Sequence, residues 1–313
     1  MAMLLAALLL LFIAPRDAHA TYSVVGTDTA EGLAGISIAS CVGSLDLDIA
    51  VGMAPGRGVV AAQASVDGQF RGRTLAVELL EEGQLGAPAI IERITQTAVD
   101  PNPQSRQYGI AAVATAPAGA QLAQDWTGSS TGSWSGGTHG FDAAERFPYS
   151  AQGNILTGPA CVLQSALGFV AEPEVAGSRR NRTAAAEEEE CYDLPARLMR
   201  ALLAGAENGE GDSRCTRREP PVPVDSAYIR VNLPTGEPWL LLSVVDTYPI
   251  SAVEVLYAEY LIWRALNPCA DGLGAFQRNA TARGLARRRA ERHSAEAAET
   301  HRRYVESGVE VAV

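Results

Sequence analysis

Ala18-His19-Ala20-Thr21-Tyr22-Ser23-Val24-Val25-Gly26-Thr27-Asp28 is the stretch on which the reading of this chain turns. Upstream of it, Leu4 to Ala14 is an apolar run broken by Pro15, and Ala18-x-Ala20 is a small-residue cleavage pattern. That is the build of a secretory signal peptide, with an apolar core too short to anchor in a bilayer. Cleavage after Ala20 predicts a secreted or periplasmic protein whose first residue is Thr21. A threonine with a free α-amino group is a nucleophile with its own base, because the amine (unperturbed pKa roughly 7.7–8.0) can take the hydroxyl proton. Downstream, Tyr22–Thr27 is β-like, Asp28–Gly32 reads as a turn, and Leu33–Ser40 resumes the alternation of apolar and small residues. The three together predict a β-hairpin that starts at the new N-terminus.

Composition narrows the chemistry. The chain has 313 residues, 47 % hydrophobic residues and a near-zero mean hydropathy, as expected of a soluble core. All 25 basic residues are arginine. Lysine is therefore excluded as base, Schiff-base former or phosphate-loop residue. Net charge is −11, and the arginine-rich stretch from Ala275 to Arg303 makes the remainder more acidic still. An acidic body argues against nucleic acid as a partner. Five cysteines in an exported chain allow two disulfides and one leftover thiol. Cys191 and Cys215 flank a helix-loop unit and are the expected pair, closing a loop worth about 3 kcal/mol by chain entropy. Cys41 and Cys161 sit in apolar segments and read as buried thiols. Neither clustered histidines nor Cys-x-x-Cys occurs, so no metal is expected, and the absence of a Gly-x-Gly-x-x-Gly motif leaves no cofactor to expect.

Farther along, strands are expected at Gly58–Ser65, Tyr108–Thr115, Gln121–Thr127, Phe147–Asn154, Ala227–Leu233 and Trp239–Val245. Helices are expected at Arg73–Glu82, Pro88–Val99, Thr157–Val170, Tyr192–Ala206, Ser251–Leu266 and in the tail Phe276–Val305. Gly128–Gly140 reads as a loop around Trp134 and His139, and Glu172–Glu190 as a disordered insertion. Strands in antiparallel style, then helices, then strands again indicate an α+β protein.

Four segments embed polar residues in small or apolar context: the Thr21 hairpin, Arg106-Gln107-Tyr108-Gly109, Gln152-Gly153-Asn154-Ile155-Leu156, and Gly211-Asp212-Ser213-Arg214-Cys215. Singly, each has a plain structural reading: a surface Arg-Gln pair, a helix cap at Asn154, a Gly-Asp turn. Together, and with Gly35–Gly43 and Gly58–Gln63, they resemble a bacterial family of unknown function assigned to the N-terminal-nucleophile (Ntn) hydrolase superfamily. The resemblance runs from Thr21 to Val231, more weakly to Leu266, and omits the insertion and the tail. It implies a four-layer αββα sandwich of two mostly antiparallel sheets between helices, with the nucleophile opening a central strand. Residues 1–20 are then a leader, 21–269 the hydrolase-like domain, and 270–313 an Arg/Ala-rich tail. Superfamily members with a tuning lysine differ from this chain, and Cys215 stands where many relatives have glycine.

Acyl transfer needs a nucleophile, a base, an oxyanion hole and a means of holding the substrate. Thr21 supplies the first two, and Asn154, beside a glycine at a strand-to-helix junction, is the expected oxyanion donor. Ser40, Gln63 and Gln152 are expected to line the pocket. Arg106 and Arg214 can offer positive charge but not a proton, while Asp28 or Asp212 can steady the amine or an arginine. The expectation is a secreted amidohydrolase acting on a small-molecule or peptide-like amide. The alternative is a non-catalytic binding or cell-envelope module on the same fold, with no stable membrane insertion in either case.

Overall fold

The eight residues Thr21–Asp28 form β1, and Leu33–Ser40 returns beside them as β2. The hairpin register runs from Thr21 opposite Ser40 to Asp28 opposite Leu33. Turn chemistry closes it: Asp28 Oδ1 accepts from the amides of Ala30 (3.0 Å) and Glu31 (3.2 Å), and Gly32 takes a positive φ of 67°. Every residue of both strands is buried, so the sheet they belong to is covered on both faces where they run.

Residues 21–114, 119–171, 193–207 and 210–268 are described in this structure, a computed structural model. The remaining strands are β3 (Val51–Ala54), β4 (Gly58–Ala64), β5 (Arg106–Ala112), β6 (Ala123–Thr127), β7 (Ser135–Gly140), β8 (Tyr149–Asn154), β9 (Ser226–Asn232) and β10 (Pro238–Val244). The helices are α1 (Arg71–Glu82), α2 (Ala87–Ile94), α3 (Ala160–Val170), α4 (Leu194–Gly205) and α5 (Ala252–Leu266). The boundary between the chain's two compact units falls at Ala258–Glu259, inside α5. One sheet has six strands in the order β10-β9-β2-β1-β8-β7; the other has four, β3-β4-β5-β6. All pairings are antiparallel, and the α+β class expected from the sequence is the class observed.

Strand alternation sorts the side chains. From β1, Ser23, Val25 and Thr27 face the four-stranded sheet. Ser23 Oγ donates to Gln63 Oε1 at 2.7 Å and Thr27 Oγ1 to the Ala112 carbonyl at 2.9 Å. Val25 joins Ile36, Ile38, Val59, Ala61 and Ala111 in the apolar core between the sheets. On the opposite face Tyr22 reaches α4, its hydroxyl donating to the Leu202 carbonyl at 3.0 Å. The outer face of the four-stranded sheet packs Val60, Tyr108 and Ile110 against Ala76 and Leu80 of α1 and Ile90, Ile91 and Ile94 of α2.

Four expectations are corrected or shifted. Ser135–Gly140 is a strand, not a loop: β7 pairs with β8 from Ser135↔Asn154 to Gly140↔Tyr149. Low strand propensity is overridden there because a Cβ on Gly137 would lie 2.5 Å from Asp125 Oδ2, so the close approach of β6 demands glycine. The short β3 was not expected. Helix α3 begins at Ala160 rather than Thr157, because the Thr157 amide donates instead to Gly211 O and Leu156 bridges to Asp212. The disulfide joins Cys41 to Cys215, not Cys191 to Cys215, so Cys41 is not a thiol; Cys161 is a buried one. Cys191, the leader 1–20, the insertion 172–190 and the tail 270–313 lie outside the described residues.

Candidate functional site

Antiparallel pairing places directly opposed side chains on one face. At the Thr21 end of the six-stranded sheet this builds a row across five strands: Ser226, Ser40, Thr21, Asn154 and Ser135. Thr21 Oγ1 and Ser40 Oγ are 3.1 Å apart, and Asn154 flanks Thr21 on the other side. Thr21, Ser40 and Asn154 are all buried.

Behind the row, a network of buried amides and hydroxyls joins the two sheets. Gln63 of β4 and Gln107 of β5 are register partners. Gln63 Nε2 donates to Gln107 Oε1 at 2.8 Å, and Asn154 Nδ2 donates to the same oxygen at 3.2 Å. Gln107 Nε2 donates to the Gly153 carbonyl (2.9 Å), Thr127 Oγ1 (2.8 Å) and the Gly136 carbonyl (3.2 Å). Ser23 Oγ accepts from Gln152 Nε2 at 2.5 Å, and Gln152 Oε1 accepts from Ser150 Oγ at 2.8 Å. Such a network is stable because nearly every polar group in it is paired. Asn154 Oδ1 is the exception: it is buried and has no partner. The second Nδ2 hydrogen of Asn154 is not consumed by Gln107.

A second cluster stands at the same end. Asp212 accepts from the Cys41 amide at 2.7 Å, one residue beyond Ser40, and holds Arg214 through Nη2 at 2.8 Å and Nε at 3.1 Å. The Ser213 amide donates to Ile155 O, one residue beyond Asn154. The Cys41–Cys215 bond ties this turn to β2, while Asp225 holds Arg218 (2.9 Å) and the Gly43 amide (3.1 Å). Among the described residues, Cys41, Cys215 and Asp225 are the one grouping of metal-ligand type; their sulfurs are bonded to each other, so no thiolate is offered. Burial pushes the Tyr22 phenol well above its usual range, with Cys161 adding to it, and burial likewise raises the Cys161 thiol.

Thus Thr21, Ser40, Gln63, Gln152, Asn154, Asp212 and Arg214 come together at one end of the sheets. Asp28 does not: seven residues on, roughly 23 Å along the strand, it pairs with Arg146 at 2.6 Å. Arg106 lies on the helix-facing side of β5, bound to Asp100 (2.7 Å) and the Ser65 carbonyl (2.6 Å). Its neighbour Gln107, overlooked in the same motif, is the residue that faces the site. The signal was the strand alternation itself, but it chooses a face only once β5 has been set against β4. The Asp28 end carries a separate cleft of about 770 Å³, lined by Thr29, Leu122, His139, Phe141 and Glu145 among others. There His139 Nδ1 lies 2.6 Å from Asp125 Oδ1.

The sequence model of a family of unknown function, DUF1028, matches residues 21–251. A similar solved structure is protein SPO2555 from Silicibacter pomeroyi, described with the same family model. It superposes with a TM-score of 0.56 at 20 % identity, over 78 % of this chain and 89 % of that one. At that identity the likeness concerns the fold. No curated protein matches the sequence.

Proposed function

The chain belongs to the DUF1028 family of unknown function, and from that premise we propose that it is an exported amidohydrolase of N-terminal-nucleophile type. The observation that carries this reading is the position of Thr21. It directly follows the Ala18-x-Ala20 pattern, opens an inner strand of the six-stranded sheet, and stands between Ser40 and Asn154. The architecture the reading requires is a four-layer αββα sandwich. It is supported by α4 packing outside one sheet, α1 and α2 outside the other, and the amide network between them. Export to an oxidising compartment is supported by the Cys41–Cys215 disulfide. No helix among the described residues is long and apolar enough to cross a membrane.

In this mechanism leader removal frees the Thr21 amine. The amine takes the hydroxyl proton as Oγ1 adds to the carbonyl of a small-molecule or peptide-like amide. The second Nδ2 hydrogen of Asn154 donates to the developing oxyanion, a contact whose loss costs about 10²–10³ in kcat. The C–N bond breaks as the ammonium returns its proton to the leaving amine. Water then hydrolyses the threonyl ester and restores the site. Asp212, paired with Arg214, holds the Cys41 backbone beside Ser40, and the two act through position.

N-terminal sequencing of the exported protein, followed by treatment with a β-lactone, tests the reading. The expected results are a start at Thr21 and one adduct on Thr21, lost in Thr21→Ala. A different start, or an unlabelled Thr21, refutes it. Refutation would favour a binding module, for which the cleft at the Asp28 end is the supporting observation.

A further inference from the structure

The oxygen and nitrogen of a side-chain amide are ordinarily told apart only by their partners. Here the partners leave no choice. The carbonyls of Gly153 and Gly136 can only accept, so the atom of Gln107 that meets them is its nitrogen. Gln107 Oε1 must then face the other way, and the two amides that meet it, from Gln63 and Asn154, must both present nitrogen. The same logic propagates through the sheets. Gln63 turns its oxygen to Ser23, Ser23 accepts from Gln152, and Gln152 accepts from Ser150. Turning Asn154 over would set its oxygen against Gln107 Oε1. Its Oδ1 is therefore an acceptor by necessity, buried, beside the first residue of β1, and without a donor. A buried acceptor left empty calls for an explanation.

We propose that Gln107 fixes the Asn154 amide so that Asn154 Oδ1 accepts a hydrogen bond from the α-amino group of Thr21. The inference rests on the proposed function, because the donor exists only after the Ala20–Thr21 bond is cut. While that bond is intact, Thr21 has one backbone N–H; once it is cut, the ammonium has three hydrogens to place. Asn154 is the cross-strand partner of Thr21, and opposed Cβ atoms lie about 4.5–5.5 Å apart. Among the described amides of the network, the oxygens of Gln63, Gln107 and Gln152 each already accept a hydrogen bond, and Asn154 Oδ1 is the one that accepts none. Gln107 is thus a positioning residue that touches no substrate. Asn154 serves on both sides of its amide, with an acceptor for the base and a remaining hydrogen for the oxyanion.

The test exploits the absence of lysine: in a chain beginning at Thr21, the α-amine is the only primary amine. Its pKa can be read from the pH dependence of its trace acetylation, with sequencing to verify the start. A hydrogen bond from the ammonium favours the charged form. Asn154→Leu should therefore lower the amine pKa by about one unit, and Asn154→Asp should raise it by about as much. Gln107→Leu, which releases the Asn154 amide to turn over, should lower it by a smaller amount. Shifts of opposite sign at one position are not expected of a residue that merely supports the fold. If Asn154→Leu does not fold, the sign of the Asn154→Asp shift decides. An amine pKa unchanged in Asn154→Asp, or lowered by it, overturns the inference. Failure of the proposed function reads out separately, as an exported protein that starts elsewhere or a Thr21 that takes no lactone.

Discussion

Gly109→Ala is a sharp test of how the two sheets are locked together. Gly109 follows Gln107 by two residues on β5, so it faces the same inter-sheet layer. A Cβ built there would overlap Oε1 and Cδ of Gln152 and lie 2.6 Å from its Nε2. The Gln152 amide would have to swing away, giving up its bonds to Ser23 (2.5 Å) and Ser150 (2.8 Å). Both bonds are buried, and a buried group deprived of its partner costs about 1–3 kcal/mol. Two of them give about 2–6 kcal/mol. The lower chain entropy of unfolded alanine returns about 0.4–1 kcal/mol, and the residue has no positive φ to penalise. The expected net loss is about 1–6 kcal/mol, a large share of a typical stability of about 5–15 kcal/mol. Urea unfolding followed by far-ultraviolet circular dichroism should show a lower midpoint at unchanged slope. The double variant Gly109→Ala/Gln152→Ser, which removes the clashing amide, should recover part of the loss through a favourable coupling. A loss below about 0.5 kcal/mol, or a double variant no better than additive, would refute the reasoning.

Non-reducing peptide mapping should recover a Cys41–Cys215 cross-link. Replacing both cysteines with alanine should destabilise by up to about 5 kcal/mol, the chain-entropy value for a sequence separation of 174; an unchanged urea midpoint would contradict this. Burial raises the phenols of Tyr22, Tyr108 and Tyr228. In the unfolded chain they ionise near about pH 10 while the folded protein retains their protons, so unfolding releases protons and stability falls as pH rises. Unfolding midpoints measured between pH 8 and 11 should be flat at first and then decline; a rise above pH 10 would be inconsistent with three protected phenols.

What the sequence determined by itself was local. The alternation of Tyr22–Thr27 and Leu33–Ser40 around Asp28 specified the hairpin, because turn chemistry and a period of two act within a few residues. The apolar spacing of Leu194, Leu198, Ala201 and Leu202 specified α4 for the same reason. The set of residues in the candidate site was also largely legible: seven of the nine polar residues expected there do gather at the Thr21 end. Their partners were not. Asp28 belongs to the first strand yet ends at its far tip, since a strand carries its residues apart at about 3.3 Å each. Arg106 and Gln107 are adjacent, and strand alternation puts them on opposite faces. Which face looks inward depended on β4 meeting β5 with Gln63 opposite Gln107. Cys215 was expected to pair with Cys191 and Cys41 to be a thiol; the bond to Cys41 spans a separation of 174 residues, where Asp212 accepts from the Cys41 amide and seats the Cys215 turn against the end of β2. The donor order of the buried amides lay farthest from the sequence. An amide has no intrinsic direction, and only the tertiary placement of the Gly153 and Gly136 carbonyls against Gln107 left Asn154 with an open oxygen.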